Sequence, residues 1–133
     1  MSDKQKTLAK EAILKGVGLH TGKHVTLTFK PADPDVGFVF VRTDLEGQPQ
    51  VEADAQYVVS TARGTTLEKK GVKIHTTEHV LAALVGMDID NCYIEIDNAE
   101  PPIMDGSSKF FVEAIENAGI VEQDKDREYY RIK

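Results

Sequence analysis

With 133 residues, 41% apolar and 29% charged, the chain has a globular composition and enough length for one domain with its own core. A net charge of −6, with no basic run longer than the pair Lys69-Lys70, argues against a nucleic-acid surface. The single cysteine, Cys92, cannot form an internal disulfide, no segment is apolar for long enough to span a membrane, and the opening Met1-Ser2-Asp3-Lys4-Gln5-Lys6 is polar where a signal peptide would be apolar; a reducing cytoplasm is the expected home.

The front half reads as strands. Thr7 to Leu14 is a candidate edge strand. Gly16-Val17-Gly18-Leu19-His20-Thr21-Gly22 is a glycine-rich turn. It misses the dinucleotide-binding spacing by one residue, and a strand rather than a helix follows it. Three glycines let a backbone approach a ligand closely, and a plain turn explains them equally well. His20 and His24 bracket the turn as either solvated side chains or metal ligands. Val25, Leu27 and Phe29 alternate with Thr26, Thr28 and Lys30, a strand period of two. Phe38 to Arg42, Val51 to Ala53 and Gln56 to Ser60 continue the sheet. Thr65 to Glu68 and Val72 to Ile74 flank Lys69-Lys70-Gly71 as a hairpin.

Then comes His75-Thr76-Thr77-Glu78-His79, followed by the apolar run Val80 to Val85. A helix from Thr77 to Gly86 is expected, with Thr76 as its N-cap. Its first turn sets a carboxylate beside an imidazole. Zinc hydrolases need that pair, because His offers a neutral nitrogen to the metal and Glu takes a proton from water. The positive end of the helix dipole favours Glu78 as a carboxylate and disfavours a protonated His79. The same pair also occurs as ordinary surface or capping residues. His75-x-x-Glu78-His79 matches the inverzincin peptidase pattern as well, but that needs both histidines on the helix, and Thr76 as N-cap leaves His75 outside it.

The back half alternates. Asn91 to Asp97 is a strand that turns Cys92, Ile94 and Ile96 to one face, so the thiol is expected to be buried and inert. The loop Asn98 to Gly106 is stiffened by Pro101-Pro102. It is either a turn plus a Ser cap or a rigid mount that sets Asp105 and a helix N-terminus on a cleft. Ser107 or Ser108 caps a second helix running to about Ala118 and ended by Gly119, with Phe111, Val112, Ile115 and Ala118 at helical spacing. Glu128 to Lys133 begins a further strand. The sum is an α+β domain, a two-layer sandwich with two helices on one face of a mainly antiparallel sheet.

Three stretches, Gly16 to Gly22, Thr76 to Leu84 and Pro102 to Ser107, stand in an order and spacing that resemble one family, as does the tail Tyr130-Arg131-Ile132-Lys133. The chain resembles the N-terminal domain of the UDP-3-O-acyl-N-acetylglucosamine deacetylases, zinc amidases of bacterial lipid A synthesis. The resemblance covers nearly all of residues 1–133. It implies two similar α+β domains with the active site in the cleft between them, the second domain being absent from this chain. It implies Zn2+ as cofactor, His79 as one ligand, Glu78 as general base and His20 as a secondary active-site histidine, with Asp105 a further candidate. The remaining ligands and the acid that protonates the leaving amine fall in the second domain. His75 stands where the family tends to carry a small hydroxyl residue or Lys, and has no family role. The implied reaction removes the N-acetyl group of a UDP-acylglucosamine and releases acetate. The implied partners are that small-molecule substrate and the C-terminal domain of the same enzyme, with peripheral contact at the inner membrane and no nucleic acid. On its own the 133-residue chain is expected to be inactive. The other readings are a non-catalytic interaction domain and the metallopeptidase.

Overall fold

The period-two pattern between His24 and Pro31 builds the centre of the molecule. The computed structural model describes residues 4–62 and 64–127. Its strands are β1 (Lys4–Leu8), β2 (Ala12–Val17), β3 (His24–Pro31), β4 (Phe38–Arg42), β5 (Gln50–Glu52), β6 (Val58–Thr61), β7 (Gly64–Lys69), β8 (Val72–Ile74), β9 (Cys92–Ile96) and β10 (Ile120–Asp126). The helices are α1 (Glu78–Gly86), between β8 and β9, and α2 (Lys109–Ala118), between β9 and β10.

Five strands form the main sheet in the order β2-β3-β9-β4-β5. Every neighbouring pair is antiparallel except β4 with β9. In register, Leu27 faces Ile96 and Phe29 faces Ile94, so the apolar residues of both strands lie on one side. There Val25, Leu27, Phe29, Phe40, Cys92, Ile94 and Ile96 are buried. The helices cover that face with Val80, Ala83 and Leu84 of α1 and Phe111, Ile115 and Ala118 of α2. Phe111 meets Phe29 edge-on, ring centres 6.3 Å apart, a favoured aromatic geometry. The α+β class and the two helices on one face therefore stand as expected. Cys92 is fully buried, and loss of solvent pushes its thiol up to about 12.

Two small sheets flank the large one: β6-β7-β8 and the pair β1-β10. The expected single strand Thr7 to Leu14 is two strands that part company. β1 pairs with β10 and β2 with β3, while Lys10 and Glu11 between them are exposed. Leu8 and Leu14 both enter the core, but from different sheets. Gln56 to Ser60 also divides, into a 3₁₀ turn over Ala55–Tyr57 and then β6; the Asp54 side chain caps the turn by accepting from the Gln56 amide at 3.2 Å. β10 has no counterpart among the strands expected from the sequence. The strand expected over Glu128 to Lys133 lies outside the described residues. Among those residues, no helix is long and apolar enough to cross a membrane.

Candidate active site

The β7–β8 hairpin delivers the chain to α1 through His75, Thr76 and Thr77. Thr76 takes a left-handed backbone, φ 56°, unusual for a β-branched residue. Thr77, not Thr76, is the N-cap, and the helix opens at Glu78. The Thr77 hydroxyl does not turn into the helix. It donates to the Thr65 carbonyl at 3.2 Å, and the Thr77 amide donates to the same oxygen at 3.1 Å. The helix start is thus fastened to β7. Glu78 is exposed at the first position, with its carboxylate over the start of that strand. The Thr65 amide approaches Glu78 Oε1 at 3.4 Å, and a Cβ placed on Gly64 would lie 2.6 Å from Oε2. Gly64 leaves room for the carboxylate.

His79 is half-buried and borders a small apolar notch shared with Leu19, Thr76, Pro102, Ile103 and Phe111. The three sequence motifs meet here: the glycine turn brings Leu19, the helix start His79, and the Pro-rich loop Pro102 and Ile103. Their backbones are joined. Gly18 bridges to Pro102, and the Ile103 amide donates to the Val17 carbonyl at 2.8 Å. Val17 and Leu19 beside the junction remain exposed.

Under the turn lies Glu100, 1% exposed, a residue the sequence reading did not single out. Its Oε1 accepts the main-chain N–H of His20 at 2.6 Å and of Thr21 at 2.9 Å. Its Oε2 is 3.1 Å from His20 Nδ1 and 3.5 Å from the Thr76 hydroxyl, which donates to it. A Cβ on Gly18 would stand 2.5 Å from Oε1, so the carboxylate occupies the space that the glycine leaves. Desolvation pushes the Glu100 carboxyl up; the Thr21 amide and the ring and amide of His20 outweigh it and hold the group below the ordinary glutamate range.

The other sequence candidates sit apart. His24 is exposed at the start of β3. Asp105 is exposed, and its Oδ1 accepts from the Ser107 amide at 3.0 Å and hydroxyl at 2.7 Å, a local turn leading to the N-cap Ser108. Hydrogen bonding to Ser107 holds its carboxyl below the usual range. His75 is buried in the link before α1, with Nδ1 2.9 Å from the Thr66 hydroxyl. The peptidase pattern requires His75 and His79 one turn apart on a helix, and His75 precedes the helix; that reading falls. Among the described residues, no three His, Cys, Asp or Glu side chains are grouped to hold a metal.

A family model for LpxC, UDP-3-O-acyl N-acetylglycosamine deacetylase, matches residues 5–133. The chain is 54% identical over 125 residues to the bifunctional enzyme LpxC/FabZ of Chlorobaculum tepidum, a match covering 94% of this chain and 27% of that protein. It is 53% identical over 130 residues to the UDP-3-O-acyl-N-acetylglucosamine deacetylase of Hahella chejuensis, covering 98% of this chain and 43% of the relative. With the enzyme of the same name from Myxococcus xanthus it shares 51% identity over 129 residues, 97% of this chain and 41% of the relative. The chain spans less than half the length of each of these relatives. With three motifs in register and a match over almost its whole length, the chain belongs to the UDP-3-O-acyl-N-acetylglucosamine deacetylase family.

Proposed function

We propose that this chain forms the N-terminal part of a deacetylase that hydrolyses the N-acetyl group of a UDP-3-O-acyl-N-acetylglucosamine in lipid A biosynthesis, in the cytoplasm. The observation that carries the reading is the adjacency of Glu78 and His79 at the mouth of α1, where the glycine turn and the Pro-rich loop also converge. Glu78 is exposed, fixed at its base by the Thr77–Thr65 tether, and given room by Gly64. In this reading its carboxylate takes a proton from the water that adds to the acetamide carbonyl. The C–N bond then breaks, acetate leaves and the sugar keeps a free amine.

Zinc belongs to the reading through the family resemblance, with His79 as its one ligand in this chain. A catalytic zinc needs three protein ligands and an open position, and the described residues do not bring together that many donors. The other ligands, and the acid for the leaving amine, are then supplied by the rest of the enzyme across the face that carries Val17 and Leu19. The chain alone is accordingly inactive.

The test pairs metal analysis with kinetics in the complete enzyme. Glu78→Ala is expected to keep zinc and lose about 10²–10⁴-fold in rate, the usual contribution of a general base. His79→Ala is expected to lose zinc and activity together. Full zinc occupancy in His79→Ala overturns the ligand assignment. Turnover of the UDP-sugar by the 133-residue chain with added zinc, at the rate of the complete enzyme and abolished by Glu78→Ala, overturns the division of the site between two parts.

A further inference from the structure

Glu100 carries a carboxylate into a place that water scarcely reaches. Burying such a group is costly unless its oxygens are well partnered. The two oxygens have different partners. Oε1 accepts both main-chain amides of the turn, from His20 and Thr21. That alone would anchor the loop. Oε2 is directed at the His20 ring, 3.1 Å from Nδ1, with the Thr76 hydroxyl at 3.5 Å.

An ionised carboxylate only accepts hydrogen bonds, so Nδ1 must carry the hydrogen. In a neutral imidazole the other nitrogen is then bare. Nε2 is the ring nitrogen turned away from that contact, on a side chain that is 32% exposed. Thr76 ties this arrangement to the proposed catalytic pair, because it touches Glu100 and also borders the notch beside His79.

We propose that Glu100 is a positioning residue: it fixes His20 as the Nδ1–H tautomer, so that Nε2 accepts a hydrogen bond from an O–H or N–H group of the bound sugar nucleotide. The tautomer rests on the Glu100–His20 geometry; the identity of the ligand rests on the deacetylase reading.

Glu100→Gln separates positioning from loop anchoring. Its amide oxygen can keep both main-chain bonds, while its amide nitrogen replaces Oε2 and donates to Nδ1. His20 must then move its hydrogen to Nε2. Long-range nitrogen–proton NMR of the His20 ring, at a pH where the ring is neutral, reads the tautomer directly. We expect Nδ1–H in the parent chain and Nε2–H in Glu100→Gln, with the His20 and Thr21 amide resonances retained. A parent ring protonated on Nε2 overturns the proposal without recourse to any variant, and so does an unchanged tautomer in the folded Gln variant. In the complete enzyme, Glu100→Gln is expected to lower kcat/KM about 10–100-fold, as loss of an orienting partner commonly does. The loss should vanish in a His20→Ala background; full additivity of the two substitutions overturns the proposal. If Glu78→Ala leaves turnover untouched, the deacetylase reading fails, and the NMR result still decides the tautomer.

Discussion

Gly18 marks the point where the turn and a buried carboxylate share one volume. A methyl group there would stand 2.5 Å from Glu100 Oε1 and 2.6 Å from the Thr21 hydroxyl. Glu100 is held by the amides of His20 and Thr21, and the Thr21 hydroxyl accepts from the Lys23 amide at 3.2 Å. Gly18→Ala is therefore expected to destabilise the fold by about 1–3 kcal/mol, the usual cost of overpacking. Urea unfolding measures it, and a midpoint equal to the parent's would show that the turn relaxes freely. At this scale the sequence made Glu78, His79 and His20 visible, because each sits in a local motif. Glu100 was hidden. In sequence it is a loop glutamate before two prolines; its partners His20 and Thr21 lie about 80 residues upstream and Thr76 lies 24 upstream. No local pattern announces that a charged residue will be buried.

Among the elements, α2 was the most legible. Its end at Gly119 and its buried stripe Phe111, Ile115 and Ala118 follow from spacing that one helix face imposes, and of the two candidate caps, Ser107 and Ser108, the structure selects Ser108. Phe111 is 1% exposed and abuts Phe29, whereas Phe110 beside it is 38% exposed. Phe111→Ala should cost about 3–5 kcal/mol, while Phe110→Ala should stay under about 1 kcal/mol. Comparable losses for both in denaturant melts would mean that the face is misassigned. β10 escaped notice for the opposite reason. Six of its seven residues are exposed, so it has no apolar alternation to read. Backbone pairing with β1 and the Gln123 side chain hold it; that amide donates to the Ala32 carbonyl and its oxygen accepts from Asn91. The break between β1 and β2 was equally hidden, because Leu8 and Leu14 suit one strand or two.

For the molecule as a whole, charge pairing sets the response to acid. The carboxyls of Asp35 beside Lys125, Asp44 beside Arg42, Asp88 beside Lys6 and Arg127, and the buried Glu100 are all held below their ordinary values. Near pH 4, where free Asp and Glu titrate, the unfolded chain therefore binds more protons than the folded one. Stability is then fully present above about pH 5 and falls as the pH drops through about 4 toward the folded values. A urea midpoint that stays level from neutrality to about pH 3 would contradict this.

The α+β class, the helix faces, the central strands and the family are legible in the amino-acid order, because helical and strand periodicity and short motifs are local properties of the chain. Folding in three dimensions was needed to show that β4 runs parallel to β9, that β1 leaves β2 for β10, and that the glycine turn, the Glu78 helix and the Pro-rich loop close on one notch. The reach of Glu100 under the turn to His20 is of the same kind. The reason is the same in each case. These contacts join segments far apart in the chain, and their energy comes from shared burial and paired polar groups that exist only once the segments have met.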